Sequence, residues 1–288
     1  MKSSINKLRT AKEKIYAPIM LIVGVLLWIA AVKYVAAKWS APKEGAILKV
    51  YVAYAVLALL FVFFSGLAYR ARAFGNMVLL GPSQFPALHA MVVEGARDIG
   101  LETTPTTFLY NSQGRFNAFA RRVLGGRYVF LTSALVEAAS DEQVRFVIGH
   151  ELGHHAAGHL NPWLNFVKLP AKLVPFLGSA YSRSREYTCD NVGAYLAKDF
   201  HASRSALQLL GCGCGRLNAS MNCEAFMAQE QQVPPVFGFL TEISSSHPRL
   251  TRRVAAIRAG VEGAGQRETC AARTLPVDDF EPRFHNAP

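Results

Sequence analysis

The sequence predicts a mainly helical α+β fold behind an N-terminal pair of membrane-spanning helices. Three observations carry that expectation. The apolar residues pile up before residue 70, the later chain has the composition of a globular domain, and its periodicity is mostly helical with a few short strands. The 288 residues allow one or two domains, and 51% hydrophobic against 18% charged residues excludes a disordered chain. Lys and Arg outnumber Asp and Glu by 31 to 20. That excess suits an anionic membrane surface as well as a nucleic acid.

Residues 15–32 and 50–69 are two stretches of 18 and 20 residues without a charge. At about 1.5 Å per residue each crosses a hydrocarbon core of about 30 Å. Trp28, Tyr34 and Trp39 at one end, and Tyr16 and Tyr69 at the other, suit interfacial belts. The first stretch exceeds the 7–15 apolar residues usual in a cleaved signal peptide, so it reads as a retained anchor. Lys2, Lys7, Arg9, Lys12 and Lys14 precede the pair, and Arg70 and Arg72 follow it. The connecting loop holds four lysines, and the positive-inside rule favours both outer flanks in the cytoplasm. The expected organisation is an anchor over 1–74, a globular domain over 75–261 and a disordered tail over 262–288.

Within the domain, residues 86–99 carry a helical stripe of Leu88, Met91, Val92 and Ala96. Strands are expected at 107–110, 115–120 and 127–131, with Asn111-Ser112-Gln113-Gly114 and Gly125-Gly126 as turns. Ser140 and Gln143 form a capping-box pattern that opens a helix over 141–158. Further helices are expected at 184–197, 201–210 and 249–259. Residues 162–180 hold three prolines and two lysines and read as a loop or as a surface-lying segment that dips toward the bilayer.

His150-Glu151-Leu152-Gly153-His154 is the most informative pentapeptide. Residues four apart share a helix face, so both imidazoles reach one Zn²⁺ while Glu151 stands beside an open coordination position. The composition makes such a motif a chance event at roughly 0.01 per chain. A catalytic zinc usually takes a third protein ligand. His159 is five residues beyond His154 and points to another face, which leaves Glu186 as the better candidate. Asp190, one turn after Glu186, is placed to accept an N–H from a ligand histidine. Five cysteines are an odd count and suggest reduced thiols, and Cys212-Gly213-Cys214 has no second paired cluster to make a metal site. Neither Arg121-Arg122 nor Arg252-Arg253 is accompanied by a nucleic-acid recognition motif, so no nucleic-acid partner is expected.

Four ordered motifs, Asn117-Ala118-Phe119-Ala120, the pentapeptide above, Ser182 to Asp190, and His247-Pro248 with Arg253, resemble the membrane gluzincin peptidases. That group includes the heat-shock protease HtpX, the CAAX prenyl protease and the mitochondrial protease Oma. The resemblance implies a zincin-like domain and one Zn²⁺ held by His150, His154 and Glu186. It implies Glu151 as base, His247 or Arg253 as oxyanion stabiliser, and Asn117–Ala120 as a strand that pairs with an extended protein or peptide substrate. It further implies an integral membrane endopeptidase for membrane or misfolded proteins, in a bacterial inner membrane with the domain cytoplasmic. The chain departs from the group at 162–180, which is too short for the extra helical hairpin of HtpX-like proteins, and at Cys189, where alanine is common. A tethered adaptor with a vestigial site, or a zinc hydrolase of a non-peptide substrate, are the competing readings.

Overall fold

A computed structural model describes residues 2–262, so the expected tail beyond them lies outside the described residues. In chain order the elements are α1 (Lys2–Leu8), α2 (Ala11–Lys38), α3 (Glu44–Asn76), β1 (Val78–Leu79), α4 (Pro86–Asp98) and β2 (Thr106–Tyr110). Then follow β3 (Ala118–Val123), β4 (Gly126–Thr132), α5 (Ser133–Ala138), α6 (Asp141–Ala156) and α7 (Pro162–Lys168). A 3₁₀ turn, Pro170–Leu173, leads to α8 (Leu177–Ala197), α9 (Phe200–Cys212), α10 (Gly215–Ala219), α11 (Cys223–Ala228), α12 (Pro235–Ser244) and α13 (Leu250–Glu262). The α+β expectation holds, and α2 and α3 are the two described helices long and apolar enough to cross a membrane.

The four-stranded sheet has the order β1-β2-β4-β3, with β2 and β4 parallel and the outer pairs antiparallel. Side chains alternate across it. Val129 and Leu131 enter the main core with α4, α6, α8, α9 and α13, whereas Phe108, Tyr128 and Phe130 pack with Ala73 at the end of α3. The third strand starts three residues later than expected. Gln113 and Gly114 both take positive φ, which keeps Arg115 and Phe116 in the loop. The strand then runs on through Arg121 and Arg122, because Leu124 and Gly125 form a two-residue turn with both φ angles positive (48° and 83°). The tip of that hairpin rests on α3 at Gly66.

Helix α6 opens on the capping box: Ser140 Oγ accepts from Gln143 N, and Ser140 N donates to Gln143 Oε1 at 2.9 Å. It packs on α8 through a glycine seam. A Cβ at Gly149 would come within 2.9 Å of Gly193 Cα, and one at Gly193 would come within 2.7 Å of Phe146 O. Small residues therefore set the spacing of the two helices that carry the sequence motifs. Gly193→Ala is expected to cost about 1–3 kcal/mol by overpacking, read as a lower unfolding temperature in detergent. An unchanged temperature would show that the seam can relax.

Element bounds differ from the expectation in places. Helix α8 begins seven residues before 184, and the membrane helices extend well beyond the charge-free stretches. Residues 162–180 hold α7, the 3₁₀ turn and the first residues of α8, with Trp163 and Leu173 exposed. Pro162 and Pro170 sit at the first positions of α7 and the 3₁₀ turn, where a missing N–H costs nothing. Finally, the N-terminal segment packs into the catalytic core: Ile5 is buried in the same cluster as Leu152 and Val254, and Leu8 packs against it.

Candidate metal centre

Helix α6 presents His150 and His154 one turn apart, and α8 presents Glu186 opposite them. Nε2 of His150 lies 3.5 Å from Glu186 Oε2, and Nε2 of His154 lies 3.7 Å from Glu186 Oε1. Donor atoms 2.0–2.1 Å from a tetrahedral ion stand about 3.3 Å apart, so two imidazole nitrogens and one carboxylate fit a catalytic zinc set. His150, His154 and Glu186 are all largely buried. Cys189 also offers its sulfur within 4.8 Å of both histidines. Burial pushes that thiol well above its usual range, which opposes the thiolate a metal requires. Burial also works against the Glu186 charge, but His150, His154 and Arg253 hold its carboxyl well below the usual carboxylate range. Glu186 is therefore the better third donor.

The second nitrogens of both histidines are occupied. His150 Nδ1 is 2.9 Å from Asp190 Oδ1. Asp190 in turn accepts from Arg253 Nε at 2.8 Å and Nη2 at 2.6 Å, a buried fork that keeps it ionised against burial. Burial opposes a charge on His150, yet Asp190 and Glu186 raise its pKa to about 10. The two carboxylates thus favour positive charge at this point. Asp190 takes the place expected for it. Arg253 spends its fork on Asp190, with Nη1 3.8 Å from Glu186, so it holds carboxylates rather than standing free over the cleft.

His154 has a support that the sequence reading missed. Gly158, at φ 75°, reverses the chain after α6, so His159 returns to face His154 instead of continuing the helix away from it. His159 Nδ1 is 3.2 Å from His154 Nδ1, and His159 Nε2 is 3.1 Å from Glu13 Oε1 on α2. One tautomer assignment fits these contacts: His154 Nδ1–H donates to His159, His159 Nε2–H donates to Glu13, and His154 Nε2 faces Glu186. Arg9 bonds both Glu13 and the Ala157 carbonyl. His155 is buried, and its Nε2 lies 3.0 Å from the Tyr128 carbonyl oxygen. The positive φ at Gly158 was readable in principle, since glycine commonly closes a helix. The Glu13 contact had no sequence signal, because it joins residues 146 apart.

Glu151 is buried against β3, where the Ala120 backbone N–H favours its ionised form. Burial raises its pKa to about 7. A cleft of about 380 Å³ brings together Asn117, Ala118, Phe119 and Ala120 with His150, Glu151, His154, Glu186, His247 and Arg253. Asn117 lies just before β3 rather than in it, its N–H donating to Thr132 Oγ1. Among the described residues β3 is an edge strand, and its outer side pairs with no other strand along the cleft. His247 stands at the rim, 65% exposed, with Nε2 3.8 Å from Glu186 Oε1. Cys212 and Cys214 lie apart from the cleft lining as free thiols.

This donor set lies on a mainly helical fold behind two N-terminal helices long and apolar enough to cross a membrane. The chain belongs to peptidase family M48, whose model it matches over residues 82–169 and 162–261. It is 29% identical over 170 residues to the plastoglobule-localized metallopeptidase 48 of the Arabidopsis thaliana chloroplast. That alignment takes in 54% of this chain and 48% of the plant protein, so the chain spans about half the length of the curated relative it matches. The crystal structure of S. mikatae Ste24p aligns with a TM-score of 0.47 at 17% identity, over 81% of this chain and 67% of that one.

Proposed function

We propose that the chain is a zinc-dependent endopeptidase that cleaves membrane or misfolded proteins at the surface of the membrane that anchors it. The observation that carries this reading is the donor set itself: two Nε2 atoms and one carboxylate, with Glu151 beside them and an open edge strand along the cleft. His150, His154 and Glu186 would hold the ion, which supplies Lewis acidity to a water and to the scissile carbonyl. Glu151 takes the proton from the attacking water and returns it to the leaving amine, a task suited to a base with a pKa near neutrality. The outer edge of β3 pairs with the extended substrate backbone, which favours main-chain recognition over a strict sequence preference. His247, at the rim, is placed to donate to the oxyanion. Arg253 acts one step back, by holding Asp190 and through it His150.

The cationic flanks favour both outer ends of the α2–α3 pair in the cytoplasm, and a bacterial inner membrane is the setting that fits. Fusion of a reporter after Arg72 tests this directly, and a signal from the opposite compartment would reverse the orientation. A tethered adaptor with a vestigial site would retain no reason to keep Glu151 buried beside an intact donor set. Elemental analysis of the purified protein should find about one zinc per chain. His150→Ala and Glu186→Ala should each lose it while the far-ultraviolet circular dichroism stays helical. Full occupancy in both variants would refute the ligand set.

A further inference from the structure

We infer that residues 161–176 form a re-entrant membrane element, a lipid-immersed hairpin that climbs beside α2 and returns to start α8. The inference rests on the reading of α2 as membrane-spanning. The hairpin follows α2 closely. A Cβ at Gly24 would sit 2.2 Å from Val167 O, the Trp28 and Phe166 rings stack at 4.7 Å, and Met20 packs with Ala171 and Tyr181. At 1.5 Å per residue, Trp28 is about 20 Å along α2 from Ile15, where its exposed apolar face begins. The hairpin therefore reaches a level well inside a core about 30 Å thick.

Its outward side is apolar. Trp163 is 78% exposed and Leu173 82%, and Leu164, Phe166, Leu169 and Phe176 are exposed beside them. A surface of this kind in water would be an aggregation liability, whereas continuity with the lipid-facing side of α2 makes lipid its cover. The polar groups are arranged as hydrocarbon demands. Asn161 Oδ1 accepts from the Trp163 and Leu164 N–H groups at 3.0 and 3.2 Å. The Trp28 indole N–H donates to Phe166 O at 3.1 Å, near the C-terminal end of α7. The segment holds no acid and two lysines. Lys168 is buried, donating to Tyr181 Oη at 2.8 Å with its ammonium over that ring, which leaves Lys172 as the exposed cation.

The test uses the full chain in vesicles of phosphatidylethanolamine and phosphatidylglycerol, with the photocrosslinker p-benzoylphenylalanine at Trp163, Leu173 or, as the anchor control, Val56 of α3. Illumination should add the mass of one phospholipid at all three positions, with yields at 163 and 173 comparable to that at 56. Lipid adducts at 56 but none at 163 and 173 would overturn the hairpin and leave the anchor standing. Crosslinks from 163 and 173 to a second copy of the chain would likewise overturn it, in favour of a protein-covered face. Absence of lipid adducts at all three positions would overturn both readings.

Discussion

Glu151→Gln should lower cleavage of a casein substrate by about 10²–10⁴-fold while leaving zinc content and unfolding temperature close to those of the wild type. The substitution keeps the shape of the side chain and an oxygen that still accepts from the Ala120 N–H, so the β3–α6 contact survives. What disappears is the proton acceptor. Glu186→Gln should behave differently, losing metal affinity and activity together, because its two oxygens face both histidines. Cleavage by the Glu151 variant at the wild-type rate would remove the motif from the chemistry and return the adaptor reading, or a hydrolase with another base.

Asp190→Ala should be the most damaging change away from the donor atoms. It leaves the Arg253 guanidinium, 6% exposed, without its fork and His150 Nδ1 without its acceptor. Removing one partner of a buried pair costs about 3–5 kcal/mol, and loss of a carboxylate behind a ligand histidine weakens metal binding by about 10–100-fold. Chemical denaturation and competition with a zinc chelator measure the two effects separately. A variant as stable and as zinc-avid as the wild type would show that Asp190 neither orients His150 nor neutralises Arg253. Asp190→Asn, which can still accept from one arm of the fork, should fall between the two.

The legible part of this site lies where chemistry follows helical spacing. His150 and His154, and Glu186 and Asp190, each stand four residues apart, and local geometry alone puts each pair on one face. The capping box at Ser140 fixed where α6 begins, and hence which face its histidines occupy. What the spacing could not convey is the approach of one element to another. The α6–α8 seam depends on Gly149 and Gly193, which look like ordinary interior glycines until both backbones are in view. His159 was assigned a divergent face because helix periodicity was carried past residue 156, beyond the point where Gly158 turns the chain. Residues 162–180 looked unstructured because prolines usually break helices, yet two of them open short helical turns. The fork between Arg253 and Asp190 had no local signature, because the two residues stand 63 apart.

The start of the chain is sewn to its far end. Thr10 N donates to Thr188 Oγ1 at 3.1 Å, Thr10 Oγ1 donates to Ser184 O at 3.2 Å, and Asn191 Nδ2 donates to Leu8 O at 3.0 Å. Glu13 supports His159, and Ile5 shares a core with Val254 and Ile257. Glu13 and His159 stand 146 residues apart and the Thr10 and Leu8 pairs 174–183 apart, with both apolar stretches lying between the partners. Contacts of such sequence separation close slowly and last. The support behind His154 therefore joins residues on either side of both apolar stretches, and it is complete only once α2 stands beside His159.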